Sequence, residues 1–248
     1  MKIVGIDPCL GGWLGIMISE DGWIVNVFKT IKDIITTWND SDIFLVDLPI
    51  GFIQGSNEER SCDVEARKLV LMHNDFDLLP VPCREAIYCS SFGVANIINK
   101  RLTGRKVPTR IWDVVDKIKE LDSFLTESKD YREKFKECNC EIGYLILNGR
   151  PMVNSRTTLA GYNERRNVLK KIYPEIDGIL DYTIDTFRRR DLKVENVLDA
   201  VCLALHGIIG FKQGFLKLPN FAEYDDHGIR MQIEVAQFSQ LNYSECVI

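Results

Sequence analysis

At 248 residues, with 46% hydrophobic and 27% charged residues, the chain has the length and composition of a large α/β domain with a sizeable core. A formal charge of −5 excludes indiscriminate coating of nucleic acid, yet leaves room for basic patches beside an acidic site. The N-terminus lacks a secretory pattern and no apolar run reaches the ~18 residues of a membrane span, so a soluble cytoplasmic protein with no membrane attachment is expected. Eight cysteines without a Cys-x-x-Cys pair, and three histidines without zinc-finger spacing, argue against structural zinc and a disulfide framework.

In chain order, Lys2 to Ile6 reads as a buried strand, Trp13 to Ser19 as a second and Trp23 to Lys29 as a third. Glu20-Asp21-Gly22 is the turn between the last two, because Asp-Gly supplies the positive φ of a tight hairpin. Thr30 caps a helix running to Trp38, whose apolar positions 31, 34, 35 and 38 share one face. Ile43 to Val46 is a short buried strand that ends at Asp47, before Pro49 and Gly51. A crossover through the helix lays this fourth strand parallel to the first, so Asp7 and Asp47 finish adjacent strands at one end. Ligand sites of open α/β sheets lie beyond the carboxyl ends of their strands, and two carboxylates there suit a divalent cation. The competing reading makes each aspartate a turn cap.

A helix is expected over Ser56 to Leu71, with a Ser56–Glu59 capping box and an Asp63–Arg67 pair. Further helices are expected near Ser91 to Leu102 and Thr109 to Thr126, making 52 to about 130 a largely helical insertion in a single domain. Lys134 to Cys138 is the next strand, carrying Glu137 and, four residues later, Glu141 toward the end of the sheet. Cys138-Asn139-Cys140 is either a soft-metal hook or a pair of buried thiols. In the helical stretch "VENVLDAVCLALHGIIG", Asp199 stands among apolar residues and must be paired, coordinated or turned to a cleft. Glu195 and Asn196 precede it by one turn.

The segments "GIDPCLGGWLG", "LVDLPIGF", "ERSCDVEAR", "VPCREAI", "KECNCE", "SRTTLAGYNERRNVL", "NVLDAVCLAL" and "DDHGIRMQI" together resemble domain of unknown function 429. That family is described as predicted nucleases with a ribonuclease H-like fold. The resemblance implies a mixed five-stranded sheet flanked by helices and a metal-dependent nuclease or phosphodiesterase acting on nucleic acid. It implies Mg²⁺ or Mn²⁺ held by Asp7, Asp47, Glu137, Glu141 and Asp199, with Asp7, Asp47, Glu137 and Asp199 as the catalytic set in two-metal phosphodiester hydrolysis. Arg60 and Arg67 match one helix motif of the family, Arg156 and Arg165 a later one. A guanidinium fork fits phosphate oxygens, which makes these four the substrate-binding candidates. Two departures flank the implied site: Asn139-Cys140 where the family has His-Pro, and Glu195-Asn196 where it has Asp-Asp.

Basic clusters at 100–106, 165–171 and 188–190 either track a nucleic-acid backbone or are solvated helix faces, and Trp112 and Tyr162 either stack bases or pack in the core. Two other classes stay open. A non-catalytic nucleic-acid-binding scaffold would keep the fold without the chemistry. The "GIDPCLGG" stretch also resembles the phosphate-binding hairpin of actin-like sugar kinases.

Overall fold

The structure is a computed structural model and describes residues 1–71 and 78–237. Its opening is an antiparallel meander of β1 (Lys2–Cys9), β2 (Gly12–Ser19) and β3 (Gly22–Phe28). Helix α1 (Ile31–Thr37) follows, then β4 (Ile43–Val46), which pairs parallel to β1 from Ile3↔Ile43 to Ile6↔Val46. The expected cap is present in full. Thr30 Oγ1 accepts from the Asp33 amide at 3.2 Å, and the Asp33 carboxylate accepts from the Thr30 amide at 2.9 Å.

The middle of the chain is helical but cut differently from expectation. Helix α2 is Ser61–Leu71, five residues shorter at its start, because Ser56 Oγ accepts from Glu58 N at 3.1 Å in a local turn rather than capping a helix. Asp63 pairs with Arg60 instead of Arg67, and Arg67 pairs with Glu59. There follow α3 (Arg84–Ile87), α4 (Phe92–Thr103), α5 (Thr109–Trp112) and α6 (Val115–Glu127). Strand β5 (Phe135–Glu137) pairs parallel to β4. After it come α7 (Cys140–Asn148), α8 (Leu159–Ile172), α9 (Ile176–Thr186) and α10 (Val194–Gln213), then β6 (Phe215–Tyr224) and β7 (Arg230–Ala236).

The sheet is mixed and seven-stranded, in the order β3-β2-β1-β4-β5-β7-β6, rather than five-stranded. The two extra strands come from a hairpin at the C-terminal side, whose turn is built on Asp225. Its Oδ1 accepts from the amides of His227 and Ile229, both at 2.9 Å, and Gly228 takes φ +69°. The chain forms two compact units. Among the described residues, one comprises Met1–Asp47, Lys134–Leu216 and the chain from Glu234 to its last described residue, 237; the other comprises those of Leu48–Glu133 and Lys217–Ile233 and contains the helical stretch expected at 52 to about 130.

In the first unit α10 lies against β1, β2 and β4. It is long and apolar enough to cross a bilayer, but 78% of its most apolar window is buried in the fold, so it is a core helix. Its approach depends on glycine. A Cβ on Gly5 would lie 1.9 Å from the Ala200 carbonyl oxygen, and one on Gly207 would lie 2.3 Å from Ile3. Gly5→Ala is therefore expected to lower the unfolding free energy by about 2–3 kcal/mol, read by urea denaturation. A loss within experimental error would show that α10 shifts freely on the sheet.

Candidate functional site

The helix-to-sheet contact sets the site. Strand residues alternate faces, so Ile3, Gly5 and Asp7 share one side of β1, and the parallel register carries that side through Leu45 and Asp47 to Cys138. This is the side α10 covers, since Gly5 meets Ala200 and Gly207 meets Leu45. With Ala200 fixed over Gly5, the neighbouring Asp199 comes to the end of the sheet that carries Asp7 and Asp47. The sequence expectation is met here with one difference: β1 continues through Cys9, so Asp7 is paired with Leu14 inside the strand rather than standing past its end.

Asp7 and Asp199 are buried, at 4% and 2% exposure, whereas Asp47 keeps partial contact with solvent. Burial pushes the Asp7 carboxyl well above its ordinary range, and the charges of Asp199 and Asp47 push it further. Burial also raises Asp47. Asp199 is pushed up to about 7, again by burial first, with Arg156 opposing the rise and Asp47 and Glu141 adding to it. These three carboxylates sense one another, and the fold supplies donors to hold them. Asn196 Nδ2 donates to Asp7 Oδ2 at 2.6 Å and to the Pro8 carbonyl at 3.1 Å, while its Oδ1 accepts from the Lys193 amide at 3.1 Å. The thiol of Cys140 donates to the Asp199 carbonyl at 3.7 Å, and Cys140 lies close enough to Asp47 to oppose the rise of its carboxyl. The cation of the group is Arg156, whose Nη2 lies 2.7 Å from Asp199 Oδ2.

The other expected residues divide. Glu141, in the first turn of α7, is near enough to raise both Asp47 and Asp199, and Arg165 Nη2 holds its two oxygens at 2.7 and 2.8 Å. Arg165 is buried, lies over the Tyr144 ring and donates to the Asn154 carbonyl at 3.0 Å. Glu137 is buried too, but its register partner is Val46, so it stands on the opposite face with Ile6, away from Asp7 and Asp47. Arg60 and Arg67 belong to the other compact unit. Arg60 is buried and bound to Asp63 and to the carbonyls of Ile50 and Gly51.

Among the described residues, no three His, Cys, Asp or Glu side chains stand together closely enough to ligate one ion. Cys138 and Cys140 are free, buried thiols, Asn139 is the N-cap of α7, and Cys246 lies outside the described residues. Of the basic clusters, Arg166 and Lys170 share Asp177 at 2.7 and 2.6 Å, Arg105 clamps the carbonyls of Asn57 and Glu58, and Arg188 to Arg190 are exposed. Trp112 packs against Phe92 beside a small apolar cluster. The glycines of "GIDPCLGG" have packing reasons, since a Cβ on Gly12, at φ +139°, would lie 2.0 Å from the Phe28 carbonyl oxygen.

Sequence reasoning missed Cys140, whose thiol donates to the Asp199 carbonyl at 3.7 Å beside Asp47, and the buried Tyr144, whose hydroxyl has no hydrogen-bond partner. The available signal was the "KECNCE" stretch, where Asn139 starts a helix that aims its first amides at the neighbouring strand end.

No curated protein and no solved structure matches the chain. A family model described as protein of unknown function DUF429 matches residues 5–219, and the chain belongs to that family.

Proposed function

We propose that this protein is a metal-dependent nuclease or phosphodiesterase of ribonuclease H-like type that hydrolyses phosphodiester bonds of nucleic acid. One observation carries the reading: the buried carboxylates Asp7 and Asp199 converge with Asp47 from two adjacent parallel strands and the helix packed on them. Oxygen donors of this kind fit a hard divalent cation such as Mg²⁺ or Mn²⁺. Asp7, Asp47 and Asp199 would hold it, with Glu141 beside them; Glu137, on the other face, is left out of the set.

A bound metal would activate the attacking water and stabilise the leaving oxygen. The chain's own residues prepare for that. Asn196 fixes the orientation of Asp7, Cys140 opposes the rise of the Asp47 carboxyl, and Arg165 holds Glu141 away from free rotation. Arg156, whose side chain is 41% exposed, has a fork that fits a phosphate oxygen pair at the mouth of the site.

The rival is a non-catalytic nucleic-acid-binding protein on the same fold, and the Arg156–Asp199 pair favours it, because Asp199 already has a cation from within the chain. Cleavage assays on labelled DNA, RNA, hybrid and branched substrates with Mn²⁺ or Mg²⁺, with a chelator control, separate the two. The expected result is metal-dependent cutting that falls at least about 100-fold in both Asp7→Asn and Asp47→Asn. Absence of cutting on every substrate, together with absence of Mn²⁺ binding in calorimetry, would leave the scaffold reading in place.

A further inference from the structure

We infer that the turn between α9 and α10, with Arg188, Arg189, Arg190 and Lys193, together with Lys29 after β3, is the surface that takes the phosphate backbone of a nucleic acid at the strand end carrying Asp7. The inference rests on the nucleic-acid reading above, and it holds for the catalytic and the non-catalytic form of that reading alike.

The turn is built by its backbone. The Arg188 carbonyl accepts from the amides of Asp191 at 2.9 Å and Leu192 at 3.2 Å, which puts Arg189 and Arg190 at the tip, and the buried Leu192 roots the turn in the core. Two contacts then pin it to the end of β1. The Gly11 amide donates to the Asp191 carbonyl at 2.7 Å, and a Cβ on Gly11 would lie 3.0 Å from the Asp191 Cβ, so glycine permits the approach. Farther along the same segment, Asn196 Nδ2 donates to Asp7 Oδ2 at 2.6 Å and to the Pro8 carbonyl at 3.1 Å. Lys29 joins from the end of β3, its Nζ donating to the Gly11 carbonyl at 3.3 Å. The basic residues are thus tied to the strand that carries Asp7 rather than hung on a separate loop.

Elsewhere the cations are held inside the fold: Arg84 by Asp122 and Asp225, Arg165 by Glu141, Arg166 and Lys170 by Asp177. This group is not. Arg188, Arg189, Arg190 and Lys193 are exposed, and the nearest approach to an ion pair is Arg190 Nε at 3.8 Å from Asp191 Oδ1, with side chains 72% and 43% exposed, a spacing that stabilises little in water. Asp185 and Glu195, on either side in sequence, form no ion pair with them among the described residues. In a chain of net charge −5, four cations gathered on one turn repel one another with no carboxylate of the fold set among them to offset it. A polyanion supplies the missing partners, about one phosphate for each cation, and releases its counter-ions on binding. The guanidinium fork fits phosphate oxygens, and contacts of this kind position a strand without reading its bases.

The test is fluorescence anisotropy of a labelled DNA duplex, an RNA–DNA hybrid and the single strands of each, titrated with the full chain in chelator at salt from about 50 to 200 mM. Arg189→Ala combined with Arg190→Ala is expected to weaken binding at least about tenfold at the low-salt end and to reduce the slope of log affinity against log salt by about 2, because two phosphate contacts are lost. Lys212→Ala combined with Lys217→Ala removes two exposed charges elsewhere, Lys212 lying about 30 Å along α10 from Lys193, and is expected to stay within about twofold of wild type. Thermal melting checks that both variants are folded. Equal losses in the two variants, or an unchanged salt slope in the arginine variant, overturn the inference and leave nucleic-acid binding standing. No binding of any strand by the wild type overturns the nucleic-acid reading and the inference together. Because binding is read without metal, absence of cleavage bears on the nuclease alone.

Discussion

Arg84→Ala is expected to lower the unfolding free energy by about 3–5 kcal/mol, the loss typical of stripping one partner from a buried ion network. Arg84 sits with its side chain 8% exposed between Asp122 and Asp225, which are 1% and 0% exposed, and bonds both through its two terminal nitrogens. Its guanidinium also lies 5.4 Å over the Phe52 ring. Each aspartate has work beyond the pair. Asp225 Oδ2 accepts from the Phe52 amide at 3.2 Å while its Oδ1 builds the turn before β7, and Asp122 Oδ2 accepts from the Tyr88 hydroxyl at 2.7 Å. Truncating Arg84 leaves two buried carboxylates with only neutral donors. Lysine in its place has one ammonium and no fork, so Arg84→Lys is expected to recover only part of the loss. Urea unfolding at neutral pH measures both. A loss under about 1 kcal/mol in Arg84→Ala would mean that the two aspartates find other cations or protonate cheaply.

The parts of this fold that were legible in the sequence are those fixed by local chemistry. The opening meander, α1 with its Thr30 cap and the β1–β4 parallel pair follow from a Gly turn, an amphipathic period and one crossover, and each is present. Part of the neighbourhood of Asp7, Asp47 and Asp199 was legible too, because adjacent parallel strands bring Asp7 and Asp47 to one end of the sheet and an aspartate inside an apolar helix demands a partner. Long-range choices were not legible. Whether Asp63 takes Arg60 or Arg67 is decided by the carbonyls of Ile50 and Gly51, which complete the Arg60 shell and leave Arg67 to Glu59. Glu137 was assigned by its position near a strand end, but a one-residue offset in register reverses its face. The β6–β7 hairpin escaped notice because Pro219 interrupts the strand pattern and its turn depends on Asp225, whose role is tertiary. Asn196 shows the limit from the other side: one amide side chain both accepts from the Lys193 amide at the start of α10 and donates to Asp7, which no spacing rule announces.

Asp199→Asn is expected to stabilise the metal-free protein at alkaline pH while eliminating the proposed chemistry. The sign follows from the carboxyl's position: its ordinary value is 3.8 and the fold pushes it up to about 7, chiefly by burial. Below the lower value both folded and unfolded chains carry the proton and no penalty exists. As pH rises toward 7 the unfolded chain releases the proton freely while the folded chain retains it, so stability falls across that window and levels off above it. A shift of this size corresponds to at most about 4 kcal/mol. Asparagine is nearly isosteric and does not titrate, so the variant is expected to lose most of this decline and to exceed the wild type in unfolding free energy at pH 8 in chelator. Urea denaturation from pH 4 to 8 measures it. Mg²⁺ at about 100 times its dissociation constant should return about 2.7 kcal/mol to the wild type. Lacking an anionic ligand, Asp199→Asn should gain far less and cut at least about 1,000-fold more slowly. A variant less stable than wild type at pH 8 would show that the Arg156–Asp199 pair stabilises the fold by more than burial of the charge costs. In the expected case the site carries the stability penalty that a functional cluster of like charges imposes, and the chain retains it against the easy remedy of a single neutral residue.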